Sequence, residues 1–148
     1  MNKKILVFGY RGWLGGMLSK QLKDRGHEVV WCHHDINFLQ VIDPTIDIVI
    51  NCAAMTNIDE CEKNKYQAFW SNVLGAYNLA RACKLSGKKH VFISSACIFE
   101  SQDVDDWKDE YSKPNPKCFY AETKTMAEKL VREIDQDTLI IRIRLPLI

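Results

Sequence analysis

The sequence predicts an α/β fold, a Rossmann-like doubly wound parallel sheet with helices on both faces. Three observations carry that expectation. Residues 5–8 form an apolar run that leads straight into Gly9, Gly12 and Gly15, after which Trp13, Leu14, Met17, Leu18 and Leu22 recur on one helical face. Further short apolar runs, at 28–32, 46–54, 89–99 and 138–143, alternate with amphipathic stretches at 65–85 and from 119 onward. Two of these runs carry small or hydroxyl side chains toward their ends, Cys52, Ala53 and Ala54 in one and Ser94 and Ser95 in the other. Such residues suit the carboxyl edge of an open α/β sheet, where ligands bind.

With 148 residues the chain is about one domain, long enough to bury roughly two-thirds of the surface its unfolded form exposes. Hydrophobic residues make up 47% and charged residues 26%, a balance that argues against disorder. The net charge is +1 and no basic run exceeds Lys3-Lys4 or Lys88-Lys89, so neither nucleic acid nor an anionic membrane is an expected partner. No stretch of about eighteen apolar residues occurs, and the N-terminus leads into a strand instead of a signal-peptide core; a cytoplasmic location is expected by default. The six cysteines show neither Cys-x-x-Cys nor zinc spacing with histidine, so free thiols and no metal site are expected, with Cys52 and Cys83 as core fillers.

The first element is strand, glycine turn and helix. A dinucleotide pyrophosphate needs that arrangement because the first glycines let the backbone turn tightly against the phosphates. The last lets the helix pack close to the sheet, and the helix N-terminus offers unpaired N–H groups and a partial positive charge. The spacing here is Gly-x-x-Gly-x-x-Gly. Gly26 ends the helix and 28–32 reads as the second strand, whose tip meets the adenine ribose in a dinucleotide fold. Cys32, His33 and His34 stand at that tip, with Asp35 and Ile36 just beyond, and no acid occupies the tip itself. Arg11, inside the glycine turn, is a candidate to pair with a 2′-phosphate. NADP(H) is therefore favoured as cofactor, with NAD(H) open.

Phe38, Leu39, Val41 and Ile42 suggest a turn or two of helix before Pro44, followed by a strand at 46–54 that ends in small residues. Residues 56–65 are polar and acidic and read as a loop, and 65–85 as one long helix ended by Gly87, with Asn72 fixing backbone near the site. Residues 101–117, charged and containing Pro114 and Pro116, exceed a plain connection and suit a substrate-facing segment. A helix begins near Phe119, and 138–143 is the last strand, before Pro146.

Tyr120 and Lys124 are four residues apart and so project from one helix face. A tyrosine hydroxyl is a poor acid or base at neutral pH unless cations stabilise its phenolate, and an ammonium one turn on supplies such a cation. The glycine turn, the serine at a later strand end and Tyr120-Ala-Glu-Thr-Lys124 together resemble the extended short-chain dehydrogenase/reductase family. That resemblance implies hydride transfer between a nicotinamide and a carbonyl carbon. Tyr120 would protonate the oxygen, Ser95 would hydrogen-bond it and Lys124 would hold the nicotinamide ribose. It also implies a cofactor-facing set of Gly9, Arg11, Gly12, Trp13, Leu14, Gly15, His33, Asp35, Ile36, Cys52, Ala53 and Ala54, together with Tyr120 and Lys124.

Ser95-Ala-Cys-Ile-Phe99 resembles the corresponding segment of GDP-fucose synthases and of plant-type UDP-4-keto-6-deoxyglucose 3,5-epimerase/4-reductases, in which the cysteine exchanges protons beside the keto group. Cys97 would take that role here. Asn51-Cys-Ala-Ala54 and Asn57-Ile-Asp-Glu-Cys-Glu62 are more similar to dTDP-4-dehydrorhamnose reductases, which reduce the same kind of keto sugar without that step. The implied substrate is a nucleotide-linked 4-keto-6-deoxy sugar. The family continues for about as long again, so residues 1–148 correspond to its NAD(P)-binding domain and lack most of the substrate-binding part. A cofactor-binding fragment or regulatory subunit without turnover is the alternative, and the apolar surface left by a missing domain leaves a homodimer open.

Overall fold

The computed structural model describes residues 2–32, 41–100 and 106–144. Five strands, β1 (Lys4–Phe8), β2 (Glu28–Trp31), β3 (Ile48–Asn51), β4 (Lys89–Ser95) and β5 (Leu139–Ile143), form one sheet in the order β2-β1-β3-β4-β5. Every neighbouring pair is parallel. The expected doubly wound sheet is therefore present.

Alternation along β1 divides the core. Ile5 and Val7 point to the face covered by α1 (Trp13–Asp24), where they meet Leu18, Leu22 and Ile50. Leu6 and Phe8 point to the other face and pack with Val49, Leu79 and Cys83. Farther along that face, Phe92 of β4 is enclosed by Ala76 and Ala80 of α4 (Gly75–Leu85) and by Ala127 and Val131 of α5 (Phe119–Ile134). Each large side chain fully buried in this way contributes about 1.5–3 kcal/mol of transfer free energy. At the sheet edge, Arg142 of β5 grips Glu128 of α5 with Nη2–Oε2 at 2.7 Å and Nε–Oε1 at 3.0 Å, a forked pair that ties the last strand to the helix bearing Tyr120.

Three expectations need correction. The strand expected over 46–54 is confined to Ile48–Asn51, because the Asn51 side chain accepts from the Ala53 N–H at 3.0 Å and turns the chain out of the ladder. Residues 56–65 are not simply a loop: α2 (Ile58–Lys63) lies within them, capped by Asn57 through the Glu60 N–H at 2.9 Å and carrying Asp59 and Glu60 in its first turn. The long helix at 65–85 is continuous in path but not in winding, since α3 (Lys65–Phe69) and α4 are joined by a π-helical turn, Trp70–Leu74. Of the helical turn expected around 38–42, residues 38–40 lie outside the described residues, and 41–43 are not helical. Pro146 and residues 101–105 also lie outside them. Among the described residues no helix is long and apolar enough to cross a membrane.

Candidate active site

The glycine turn is built as a cradle. Gly9 adopts φ +79°, and a Cβ placed there would stand 2.6 Å from the Ala53 nitrogen and 2.7 Å from the Cys52 carbonyl carbon. The turn therefore rests directly on the backbone leaving β3, and a larger residue would be excluded by both conformation and space. A Cβ on Gly15 would fall 2.7 Å from the Gly9 carbonyl carbon, so α1 starts pressed against the turn. Gly12 is its extended N-cap, with no side chain satisfying the first helical N–H groups and no acid in the first turn. Those open donors, with the helix dipole behind them, fit a dinucleotide pyrophosphate.

Trp13 is 58% exposed and Leu14 half-buried at the start of that helix. Arg11 is exposed and donates from Nε to the Tyr10 hydroxyl at 3.1 Å. Tyr10 in turn stacks on Trp31, the last residue of β2, with ring centroids 5.2 Å apart and planes 19° from parallel. His33, Asp35 and Ile36 lie outside the described residues.

On the other side of the carboxyl edge β4 and α5 bring Ser95 and Tyr120 near one another, close enough for the serine side chain to act on the phenol. Burial lifts the Tyr120 hydroxyl above its ordinary value, outweighing the opposing influence of Ser95, so at neutral pH it keeps its proton. The Ser95 Oγ also accepts from the Cys97 N–H at 3.2 Å, which caps the 3-10 turn Ala96–Ile98 and fixes the serine. Lys124 departs from expectation. It is 2% exposed and sends its Nζ to the Ile93 carbonyl at 2.8 Å and over the Phe92 ring at 4.3 Å. Burial brings its ammonium down to about 8, with Glu128 and Cys52 opposing the fall. The ammonium expected to lower the phenol is instead taken up by the Ile93 carbonyl and the Phe92 face, and the Tyr120 value is raised. Cys52 faces this lysine, and burial pushes its thiol up to about 11, so it is an inert neighbour.

A cavity of about 450 Å³ opens beside the pair, lined by Cys97, Phe99, Trp107, Lys108, Lys117 and Arg144 among others. Cys97 is exposed to it. The segment expected to face substrate thus supplies part of its wall.

Two features were not legible in advance. Asn72, in the π-helical turn, clamps Met55 by accepting its N–H at 2.7 Å and donating to its carbonyl at 2.9 Å. The same amide donates to Thr123 Oγ1 at 3.1 Å. Asn72 was expected to fix backbone, but its link to the Tyr120 helix depends on a π turn that periodicity does not reveal. The Tyr10–Trp31 stack joins residues from different elements, and no local pattern announces it.

Residues 3–145 match the family model described as the RmlD substrate binding domain. The chain is 32% identical over 152 residues to the spore coat polysaccharide biosynthesis protein SpsK of Bacillus subtilis, covering 94% of this chain and 52% of that one. It is 32% identical to a trifunctional UDP-glucose 4,6-dehydratase/UDP-4-keto-6-deoxy-D-glucose 3,5-epimerase/UDP-4-keto-L-rhamnose-reductase of Arabidopsis thaliana, covering 97% of this chain and 24% of that protein. The dTDP-4-dehydrorhamnose reductase of Bacillus anthracis, solved in complex with NADP, superimposes with a TM-score of 0.87 at 30% identity, over 96% of this chain and 53% of that one. A UDP-rhamnose synthase from Acanthamoeba polyphaga mimivirus gives 0.82 at 27% identity, over 99% and 57%. The chain thus spans about half the length of these solved relatives. With its parallel sheet, glycine cradle and Ser95–Tyr120 pair, the chain belongs to the family of the RmlD substrate binding domain, within the extended short-chain dehydrogenase/reductases.

Proposed function

We propose that this chain is the dinucleotide-binding half of an NADP(H)-dependent reductase of nucleotide-linked 4-keto-6-deoxy sugars, of the kind that serves rhamnose or fucose synthesis. The observation that carries this reading is the placing of Ser95, at the end of β4, and Tyr120, at the start of α5, on the same sheet edge as the Gly9 cradle. A nicotinamide held there would supply the hydride for the keto carbon. Tyr120, kept protonated by burial, donates its hydroxyl proton to the keto oxygen, and Ser95 orients that oxygen by a second hydrogen bond. Gly9, Gly12, Gly15 and the helix N-terminus take the pyrophosphate, and Cys52, Ala53 and Ala54 line the floor. Lys124, held on the Ile93 carbonyl one helical turn from Tyr120, is the candidate to bond a ribose hydroxyl of the nicotinamide half.

Cys97, exposed in the adjoining cavity, stands two residues beyond Ser95 and is the candidate for proton exchange beside the keto group. Support for the substrate class comes from the names of the relatives, and support for NADP(H) over NAD(H) from the NADP complex of the Bacillus anthracis enzyme. A cytoplasmic setting suits six free thiols, and the exposed Tyr66, Phe69 and Trp70 offer apolar surface for a homodimer.

The test is calorimetric titration of the chain with NADPH and NADH, followed by stopped-flow oxidation of bound NADPH by a nucleotide 4-keto-6-deoxy sugar. Micromolar cofactor binding with substrate-dependent oxidation is expected. Binding without oxidation would mark a cofactor-binding module without turnover, and absence of binding by folded protein would remove the dinucleotide reading.

A further inference from the structure

We infer that Tyr10 and Trp31 are positioning residues that hold Arg11 ready for the 2′-phosphate of an adenosine ribose. In this proposal the aromatic stack, as well as the arginine, sets a preference for NADPH over NADH. The inference deepens the dinucleotide reading and rests on it.

Four side chains from three elements form one assembly. Tyr10 follows Gly9 in the cradle turn, Trp31 ends β2, and their rings stack at 5.2 Å. Lys23, from the last turn of α1, places its Nζ 4.0 Å from the Trp31 centroid, so the indole is flanked by a ring and a cation. The Arg11 Cζ lies 5.7 Å from the Tyr10 centroid while its Nε bonds the phenol oxygen at 3.1 Å. The phenol thus restrains both the position and the rotation of the guanidinium.

The location gives that restraint a use. In doubly wound sheets the adenosine ribose lies at the carboxyl end of the second strand, and its 2′ substituent is read there. Trp31 marks that end, and the stack draws the turn carrying Arg11 toward it. A long exposed arginine ordinarily surrenders much rotamer freedom when it grips a phosphate. Here part of that ordering is complete before an anion arrives, and the Nε bond leaves the terminal amino groups as the fork for phosphate oxygens. Lys23 adds a second positive charge at the same strand end. NADH presents a neutral hydroxyl at this point and gains little from the arrangement, so its contribution is selective.

The experiment compares the intact chain with Tyr10→Phe, which keeps the ring and removes the Nε acceptor, with Trp31→Leu, which removes the platform, and with Trp31→Tyr, which retains a stacking ring. Each is checked for folding by circular dichroism and titrated calorimetrically with NADPH, NADH, 2′,5′-ADP and 5′-ADP. Expected is a loss of about tenfold for NADPH and 2′,5′-ADP in Tyr10→Phe and Trp31→Leu, equivalent to about 1.4 kcal/mol. NADH and 5′-ADP should change less than about twofold, with most of the loss recovered in Trp31→Tyr. Equal weakening of the phosphorylated and unphosphorylated ligands would show a stack that merely shapes the turn and would overturn the proposal, as would unchanged affinity throughout. Failure of folded wild-type protein to bind either cofactor would instead remove the dinucleotide reading itself, and this inference with it.

Discussion

Asn72 and Thr123, on helices 51 positions apart in sequence, are joined by a buried 3.1 Å hydrogen bond from the amide Nδ2 to the hydroxyl Oγ1. Thr123 in turn donates its hydroxyl to the Tyr120 carbonyl at 2.7 Å. Asn72 also holds both backbone groups of Met55, just past Ala54 on the chain leaving β3. One side chain therefore spans the loop beneath the cofactor cradle and the helix that presents Tyr120.

Asn72→Ala leaves the Met55 amide, the Met55 carbonyl and the Thr123 hydroxyl short of a partner in a buried setting. An unsatisfied buried group costs about 1–3 kcal/mol, so a total loss of about 2–4 kcal/mol is expected, read as a lower urea midpoint. Asn72→Asp, which keeps the acceptor for Met55 but removes both donated bonds, should lose no less. A variant with wild-type stability would show that the clamp carries no energy.

Tyr120→Phe removes the proposed proton donor while keeping the ring. Reduction should fall by about 10²–10⁴-fold, with NADPH affinity changed less than about threefold. Stopped-flow oxidation of bound cofactor measures the first and calorimetry the second, and retained turnover would require another acid.

Cys97→Ser should leave cofactor binding intact and remove solvent-deuterium incorporation next to the keto group. Mass spectrometry of recovered nucleotide sugar reads this directly. Undiminished exchange would assign the proton step elsewhere.

Folding stability should fall as pH drops from about 6.5 toward 4 because of His90. The imidazole is 3% exposed and burial brings it down to about 4, against 6.5 when free, with Asp135 opposing. In that window the unfolded chain binds a proton that the folded chain refuses, so stability is fully present above about 6.5 and is lost on acidification. A difference of 2.5 units at 1.36 kcal/mol per unit sets the loss at up to about 3 kcal/mol. Urea unfolding at pH 7 and 4.5 should show the slope in wild type and a shallower one in His90→Gln, since that substitution removes the titrating ring.

Gly9→Ala and Gly26→Ala separate cradle from chain geometry. Both glycines have positive φ, +79° and +85°, so backbone strain alone should cost each substitution about 1–2 kcal/mol, and Gly9→Ala more because its Cβ would overlap backbone. Gly26 has open space around its missing Cβ, whereas Gly9 meets the backbone of Cys52 and Ala53. Cofactor affinity should therefore collapse in Gly9→Ala and persist in Gly26→Ala.

Most of the sheet was legible because its strands are apolar runs punctuated by glycine, and because Ser95, Tyr120 and Lys124 sit at positions where strand end and helix face are read from spacing alone. α2 was missed although Asn57, Asp59 and Glu60 form a sound helix start, because the segment lacks the apolar period that usually signals a helix. The direction of Lys124 was not legible, since spacing sets the helix face and leaves open which carbonyl a flexible ammonium will find. Nor was the Tyr10–Trp31 stack, which depends on where two separate elements come to rest.

The parallel order of the sheet also governs when a ligand site can first exist during folding. Among the described strands no neighbouring pair closes through a hairpin, so each of these pairings waits for a crossover to be completed, and such long-range closures are slow. The Gly9 turn is local in sequence, but it rests on the backbone of Cys52 and Ala53, which reaches it only when β3 docks beside β1. A nascent or partly folded chain ending before that point has a glycine turn with nothing beneath it. Cofactor would stabilise only molecules that have docked β3, which makes its binding a timer for assembly of the central sheet as well as a step toward chemistry.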